Sequence, residues 1–527
     1  MKGNIIKYLF ILFVIFIIIF AVYKMNFESK KDDEDSKSNV QEALLQESSN
    51  LNIGIANFDN INPIITQNRD VINLSTILYE PLLSITTDYK IELKLVREWS
   101  KINENTYVIK LKDDLKWDDG SKISANDVTY TIEKLKEKKS VYSDNVSNIK
   151  SAEVVDSTTI KINLDKEEAF FEYNLIFPII SKDQFSGEAD FFKSRIVPKS
   201  SGMYKVVSAS TEGLELEENN NWYQSEKRKI NKVKIVFCST MGDAYNSFKI
   251  GNIDMICTSN INIKEYIGTI GYLGKDYKGR ELDYISLNCE RNILSRKEVR
   301  QAINYAIDKN KIISSVYGSE YYVSSFPLDY GSYLYNKEST SSYNKNQAKK
   351  VLEDAGWKYK YESWYKTENY RTTTIYLDLI VDSSNKQRVK VAELIKKQLE
   401  DIGINVYLYK VSNSSYKSYL KNKNYDMIIT GVYNGYSPSL EYFLGKDNIS
   451  NYKNDEITNI LNDLKNISDE TQIKEKYKRI IEIYEDEQPF ICLYRNKLKV
   501  IYSMKLTGDF TPNSYTAYYN LKKWYRQ

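Results

Sequence analysis

The side chains that most often do enzymic chemistry are either missing from this sequence or poorly spaced for it. Histidine is absent from the 527 residues, which removes the commonest general base and the commonest transition-metal ligand together. Ser/His/Asp and Cys/His nucleophile systems and histidine-based zinc sites are thereby excluded. The four cysteines, Cys238, Cys257, Cys289 and Cys492, form no C-x-x-C pair and lie in or beside apolar stretches, as in Ile235-Val236-Phe237-Cys238 and Phe490-Ile491-Cys492-Leu493. Buried core cysteine is the expectation. An extracytoplasmic disulfide is permitted by the count, but no pairing is assigned by it. Neither a P-loop nor a dinucleotide-binding glycine pattern occurs. A glycosidase-type carboxylate pair stays open, because acidic residues occur throughout the chain and their separation in space is not a property of the sequence. The expectation is a protein that is not an enzyme, with no catalytic residue, no metal and no cofactor.

Composition narrows the partners. Lys+Arg 74 against Asp+Glu 71 leaves a formal charge of +3, too weak a field to collect nucleic acid. Tyrosine is abundant at 45 residues; biased codon usage accounts for most of them, and only a few amphipathic rings are available to line a groove. A chain of this length is expected to divide into two or more domains.

The elements that would position a site follow from hydrophobic patterning. Lys2 and Lys7 precede an uncharged apolar run from Tyr8 to Tyr23. With Met25, Phe27 and a snorkelling Lys24 this approaches the ~20 residues that span a bilayer. The preceding positive charges predict a cytoplasmic N-terminus and an exported body, and no A-x-A-like cleavage site follows. Residues 1–27 therefore read as an uncleaved signal anchor that would hold the protein at the cell membrane by a single pass. Residues 28–49 are polar and charged, a tether with an r.m.s. reach of roughly 25 Å. Further on, Val299, Ala302, Ile303, Ala306 and Ile307 recur at helical spacing within Ser295 to Lys311, which predicts one amphipathic helix, with Ser295 and Glu298 spaced as a capping box at its start.

That helix carries the string VRQAINYAIDKNKI, which resembles the R-x-A-x-x-Y-A-I-D-K/R-x-x-I signature of the family 5 extracytoplasmic solute-binding proteins of ABC importers. Trp117-Asp118-Asp119-Gly120 through Val128, Gly251-Asn252-Ile253-Asp254, Asn346 to Trp357 and Val389 to Lys410 also match the family's patterns in the family's order, from about residue 51 to 500. The resemblance implies an α/β fold, a two-lobed periplasmic-binding-protein-like architecture (type II, cluster C) with an extra sub-domain, added to the N-terminal membrane anchor helix. Lobe I would comprise residues 50–83, 190–275 and 490–527, the extra sub-domain 84–189, and lobe II 276–489. The implied function is capture of an oligopeptide or peptide-like solute between the lobes and delivery to ABC permease subunits, by a monomer. A membrane-anchored peptide-sensing or surface protein on the same fold is the alternative, favoured slightly by the lack of a lipobox cysteine before Cys238.

The resemblance also points to ligand-binding residues. In the family an aspartate in a "Y/F-D-x-x-x-x-x-W-x-x-D-Y-x-D-P" segment grips the α-ammonium of a bound peptide. The corresponding run here is Tyr425 to Pro438, and either Asn434 or Gly435 falls at the acidic place. The implied contacts are Tyr416, Tyr433, Asn434, Gly435 and Tyr436, with Glu441 as a substitute acid and Asn57 and Phe58 in the cleft floor. The ligand is expected to depend on ring stacking and backbone hydrogen bonds, with little dependence on a free N-terminus.

Overall fold

The strand Asn50–Ala56 buries Leu51, Ile53 and Ile55 and is buried through most of its length, as a strand covered on both faces requires. It lies within a large mixed sheet in the computed structural model, which describes residues 49–137, 139–187, 191–193, 195–259, 271–318, 320–329, 331–335 and 342–527. Asn50–Ala56 pairs in parallel with Lys232–Cys238, which continues antiparallel into Gly213–Glu218 and Tyr204–Ala209. On its other side lie Met255–Thr258 and then the long strands Phe490–Ser503 and Tyr272–Leu287. Met427–Tyr433, Tyr376–Asp382 and Asn405–Val411 complete that end.

Each end of the sheet has its own core. At the Asn50–Ala56 end the helix Arg69–Leu78 and the C-terminal segment, with Phe510, Tyr518 and Trp524, close over Leu51, Val233 and Met255. At the other end Val299, Ala302, Ile303 and Ala306, all fully buried, share a core with Leu379, Ile395 and Ile429. A third core belongs to the four-stranded sheet of Val96–Asn103, Thr106–Leu111, Thr159–Leu164 and Ile149–Val154 and the helix Ala125–Lys136. A fourth joins Phe170, Tyr173 and Ile176 to Tyr284, Phe443, Tyr477 and Phe490, so the third unit is welded to the large sheet by aromatic contact.

Local sequence rules explain most of these elements. Gly120 takes φ +86° after Asp119, and the Asp127 carboxylate accepts from the N–H of Ser124 at 2.8 Å and of Lys182 at 2.9 Å, so this motif is structural. Gly251, Gly356 and Gly403 end their helices with φ between +82° and +87°, the left-handed turn that glycine adopts without a Cβ penalty.

Two expectations need correction. The predicted helix over Ser295 to Lys311 is two helices, Lys297–Ala306 and Lys309–Tyr317. Ser295 does not cap the first, because its hydroxyl donates to the Asn292 carbonyl at 2.9 Å, a local bond that competes with helix capping. Asp308 breaks the run by accepting from the Lys311 N–H at 3.0 Å and capping the second helix. The buried stripe itself is as predicted, Ile307 included. The cysteines are free, three of them buried, while Cys289 is only half-buried. The anchor expected at residues 1–27 and nearly all of the tether lie outside the described residues; among the described residues no helix is long and apolar enough to cross a membrane.

Candidate functional site

The two long strands that join the ends of the sheet slip in register where they cross. Pairing runs from Tyr272 opposite Ser503 to Lys278 opposite Lys497, then resumes with Leu282 opposite Arg495. Gly279, Arg280 and Glu281 bulge against Asn496, and any side chain at Gly279 would collide with the Asn496 amide. A bulge re-aims the side chain it carries. Here it turns Arg280 into the interior, where the side chain is 5% exposed.

Arg280 meets Asp329, and Asp329 in turn faces Arg495, whose Nε lies 2.9 Å from Oδ1. Arg280 also donates through Nε to the Asn434 carbonyl at 2.8 Å and through Nη2 to the Gly435 carbonyl. Its guanidinium is held between the faces of Tyr89 and Tyr436, 5.4 and 5.0 Å from the ring centres, a cation–π arrangement that partly replaces lost hydration. Burial alone would raise the Asp329 carboxyl, but Arg495, Arg280 and Lys278 hold it below the usual carboxylate range. The two arginines diverge. Burial pulls down both, yet Asp329 and the surrounding tyrosines outweigh it for Arg280 and raise that group, whereas Arg495 is left lowered. The difference matches their partners: Arg495 Nη2 donates to the Pro327 carbonyl, but its buried Nη1 has no hydrogen-bond partner. A buried donor left unmade costs about 1–3 kcal/mol.

Arg495, Asp329 and Lys278 line a cavity of about 470 Å³ with Tyr89, Tyr322 and Asn513, within the usual range for a small-molecule site. Its walls come from the crossing strands, from the strand Tyr321–Val323 paired to one of them, and from the segments around Tyr89, Asp329 and Asn513. A second cavity, of about 920 Å³, lies between the four-stranded unit and the helix Glu470–Glu487, with Trp99, Lys101, Tyr173 and Glu470 in its wall. None of Tyr433 to Tyr436 lines either cavity.

The predicted site residues divide into two groups. Asn434, Gly435 and Tyr436 are brought together around Arg280, and Asn434 Nδ2 donates to the Pro327 carbonyl at 2.7 Å. Tyr436 donates to the Ser514 carbonyl and meets Tyr515 edge-on. Tyr433 ends its strand beside them, 68% exposed. Tyr416, Glu441, Asn57 and Phe58 line neither cavity. Tyr416 is 7% exposed and packs with Ile380, Tyr425 and Ile428, its hydroxyl donating to the Ile429 carbonyl at 3.0 Å. Glu441 lies 3.8 Å from Lys465. Phe58 stacks on Phe237 at 3.9 Å, and the Asn57 carbonyl accepts from Asn68 at 2.8 Å. Sequence reasoning missed Arg280, Asp329 and Arg495. The available signals were a cation directly after Phe490 to Tyr494, otherwise an uninterrupted apolar strand, and a glycine breaking the strand before Arg280.

Comparison with known proteins places this geometry in a family. Residues 90–453 match the model of the bacterial extracellular solute-binding proteins, family 5 Middle. The oligopeptide-binding protein AppA of Bacillus subtilis is 23% identical over 86% of this chain and 87% of its own. Heme-binding protein A of Haemophilus influenzae is 24% identical over 71% and 70%. The ABC transporter substrate binding protein CtaP of Listeria monocytogenes shares the fold, with a TM-score of 0.67 and 24% identity over 91% of this chain and 99% of that one. With the family model covering well over half of its residues, the chain belongs to the family 5 bacterial extracellular solute-binding proteins.

Proposed function

We propose that this chain is the extracytoplasmic substrate-binding component of an ABC importer, holding a peptide or peptide-like solute and presenting it to the permease subunits without altering it chemically. The observation that carries this reading is the cavity at the crossing strands, lined by Lys278 and Arg495 from those strands and by Tyr89 and Ser514, which contact Arg280 and Tyr436 respectively. Two α/β lobes, residues 50–83 with 190–275 and 490–527 against 276–489, would close on it, with residues 84–189 as the added sub-domain. Residues 8–23 would tether a monomeric body outside the membrane.

The relatives are named for oligopeptides in one case and haem in another, so the solute class must come from this chain's own groups. Where an acid would grip a peptide's ammonium, Asn434 and Gly435 present carbonyls already committed to Arg280. Leaving a buried ammonium unpaired costs several kcal/mol, so the solute presents no ammonium there. Calorimetric titration of the full-length chain in mild detergent with peptides in free and N-acetylated forms tests this. Binding that changes by less than about threefold on acetylation is expected. A large loss abolished in Glu441→Gln would show that Glu441 still reads an ammonium, and the absence of binding by any peptide would remove the peptide assignment.

A further inference from the structure

The larger cavity, of about 920 Å³, shares no lining residue with the one at the crossing strands. Trp99, Tyr107, Tyr173 and Tyr333 line it with rings, and Trp99 and Tyr333 are only half-buried, so part of each is open to the space. The lysines in its wall are committed. Lys90 holds Glu470 at 3.0 Å, and Lys465 holds Asn462 at 2.8 Å with Glu441 at 3.8 Å. Lys101 uses all three of its donors, on Glu167 at 2.8 Å, the Lys465 carbonyl at 2.8 Å and Asn466 at 2.9 Å. The acids are not matched in the same way. Glu104 stands exposed, where water solvates it, but Glu172 is half-buried and its carboxylate accepts no hydrogen bond from any other described residue. Burial pushes that carboxyl up to about 7 and Glu168 adds to the rise, while its own backbone N–H and Lys101 offset only part of it.

We propose that this cavity is a second binding site, separate from the one at the crossing strands, and that it takes a guanidinium, with Glu172 as the counter-charge and Trp99 as the stacking surface. A half-buried carboxylate without a partner and an open ring beside it call for the same group. A guanidinium presents a planar fork of donors that a carboxylate accepts in pairs, and its flat face stacks on aromatic rings. It is also more weakly hydrated than an ammonium, so it loses less on entering a partly desolvated space. Tyr333 already receives a cation on its face, with Lys90 Nζ 5.4 Å from the ring centre. The space is held open in advance, because Lys101 and Lys90 bridge the four-stranded unit to the segment that leads into the helix Glu470–Glu487 and to Glu470 itself. A free guanidinium compound and an arginine side chain supply the same chemistry.

The test is ligand-observed NMR titration of the full-length chain in mild detergent with butylguanidinium, its neutral isostere butylurea, butylammonium and N-acetylarginine methylamide. Butylguanidinium is expected to bind at least tenfold more tightly than butylurea and at least threefold more tightly than butylammonium. Glu172→Gln should bring butylguanidinium down to the level of butylurea. Trp99→Leu should weaken butylguanidinium at least threefold, and it decides the matter should Glu172→Gln fail to fold. N-Acetylarginine methylamide that binds like butylguanidinium, with the same loss in Glu172→Gln, supports the proposal with an arginine side chain as occupant. If it binds at least tenfold more weakly while butylguanidinium keeps its dependence on Glu172, the proposal stands for free guanidinium compounds. Equal binding of butylguanidinium and butylurea, or a preference unchanged in both variants, overturns the proposal. Butylammonium binding as tightly as butylguanidinium overturns the guanidinium assignment.

Discussion

Asp329 and Asp70 are both buried carboxylates, 4% and 7% exposed, yet their surroundings drive them in opposite directions. Asp329 is enclosed by Arg280 and Arg495, each as buried as itself, and is held below the usual range. Asp70, in the first turn of Arg69–Leu78, has only Arg69 at 3.8 Å, a side chain 43% exposed. Burial pushes its carboxyl up to about 6, against the opposing pull of Arg69. A helix N-terminus favours a negative charge, but at Asp70 desolvation prevails. The contrast shows that depth alone does not decide whether a buried acid is charged; a partner buried with it does.

The largest expected effect breaks the first member of the pair. Asp329→Asn leaves two buried arginines without a counter-charge, and such an exposed deficit typically costs ~3–5 kcal/mol. Urea unfolding of the full-length chain measures it, and a loss under ~1 kcal/mol would mean that the tyrosine faces and carbonyls alone neutralise the arginines.

A second, smaller effect has the opposite sign. Because the folded Asp70 carboxyl titrates near 6 rather than its usual 3.8, the native state keeps a proton that the unfolded state releases. Its contribution is complete below about pH 4 and is lost as pH rises through about 6. Asp329 behaves inversely, stabilising above the usual carboxylate range and losing its contribution as pH falls through its lowered folded value. Asp70→Asn should therefore raise stability at pH 7.5 by about 1–3 kcal/mol and flatten the slope between pH 4 and 6. Unfolding free energies across that range check it; a difference between wild type and variant that is independent of pH would contradict it.

The smallest effect sharpens the comparison from outside. Lys90 reaches Glu470 at 3.0 Å, but both side chains are exposed, and such pairs add little because water screens them. Lys90→Ala should leave the melting temperature unchanged within error. A drop comparable to that of Asp329→Asn would show that this bridge between the four-stranded unit and the Glu470–Glu487 helix supports more than its own geometry.

Periodic features were the legible ones. The stripe from Val299 to Ile307 could be read because burial repeats with the helix, and the helix-ending glycines because few other residues tolerate their φ. The break at Asp308 was not, since Ser295 and Asp308 are both plausible caps and only local competition for carbonyls chooses between them. The run from Tyr425 to Pro438 was singled out by motif spacing, and three of its residues, Asn434, Gly435 and Tyr436, lie around Arg280. Tyr416 was expected by the same route, yet its helix Asn413–Asn422 turns the ring into a small core. The Arg280, Asp329 and Arg495 cluster depends on a register slip between strands far apart in the chain, and no local pattern encodes a slip.

The C-terminal segment that closes the core around Asn50–Ala56 sets a clock on folding. Thr76 and Thr516 share a hydrogen bond of 2.6 Å across 440 residues, Ala517 donates to Asn73 across 444, and Arg526 reaches the Asn50 carbonyl across 476. At ~5–20 residues per second of synthesis, the first strand waits roughly half a minute to a minute and a half for these partners to be made. Throughout that interval Leu51, Val71 and Leu74 lack the cover they have in the finished core. Contacts this distant in sequence also close slowly once available. The topology thus leaves the core around the leading segment incomplete until its last partners exist.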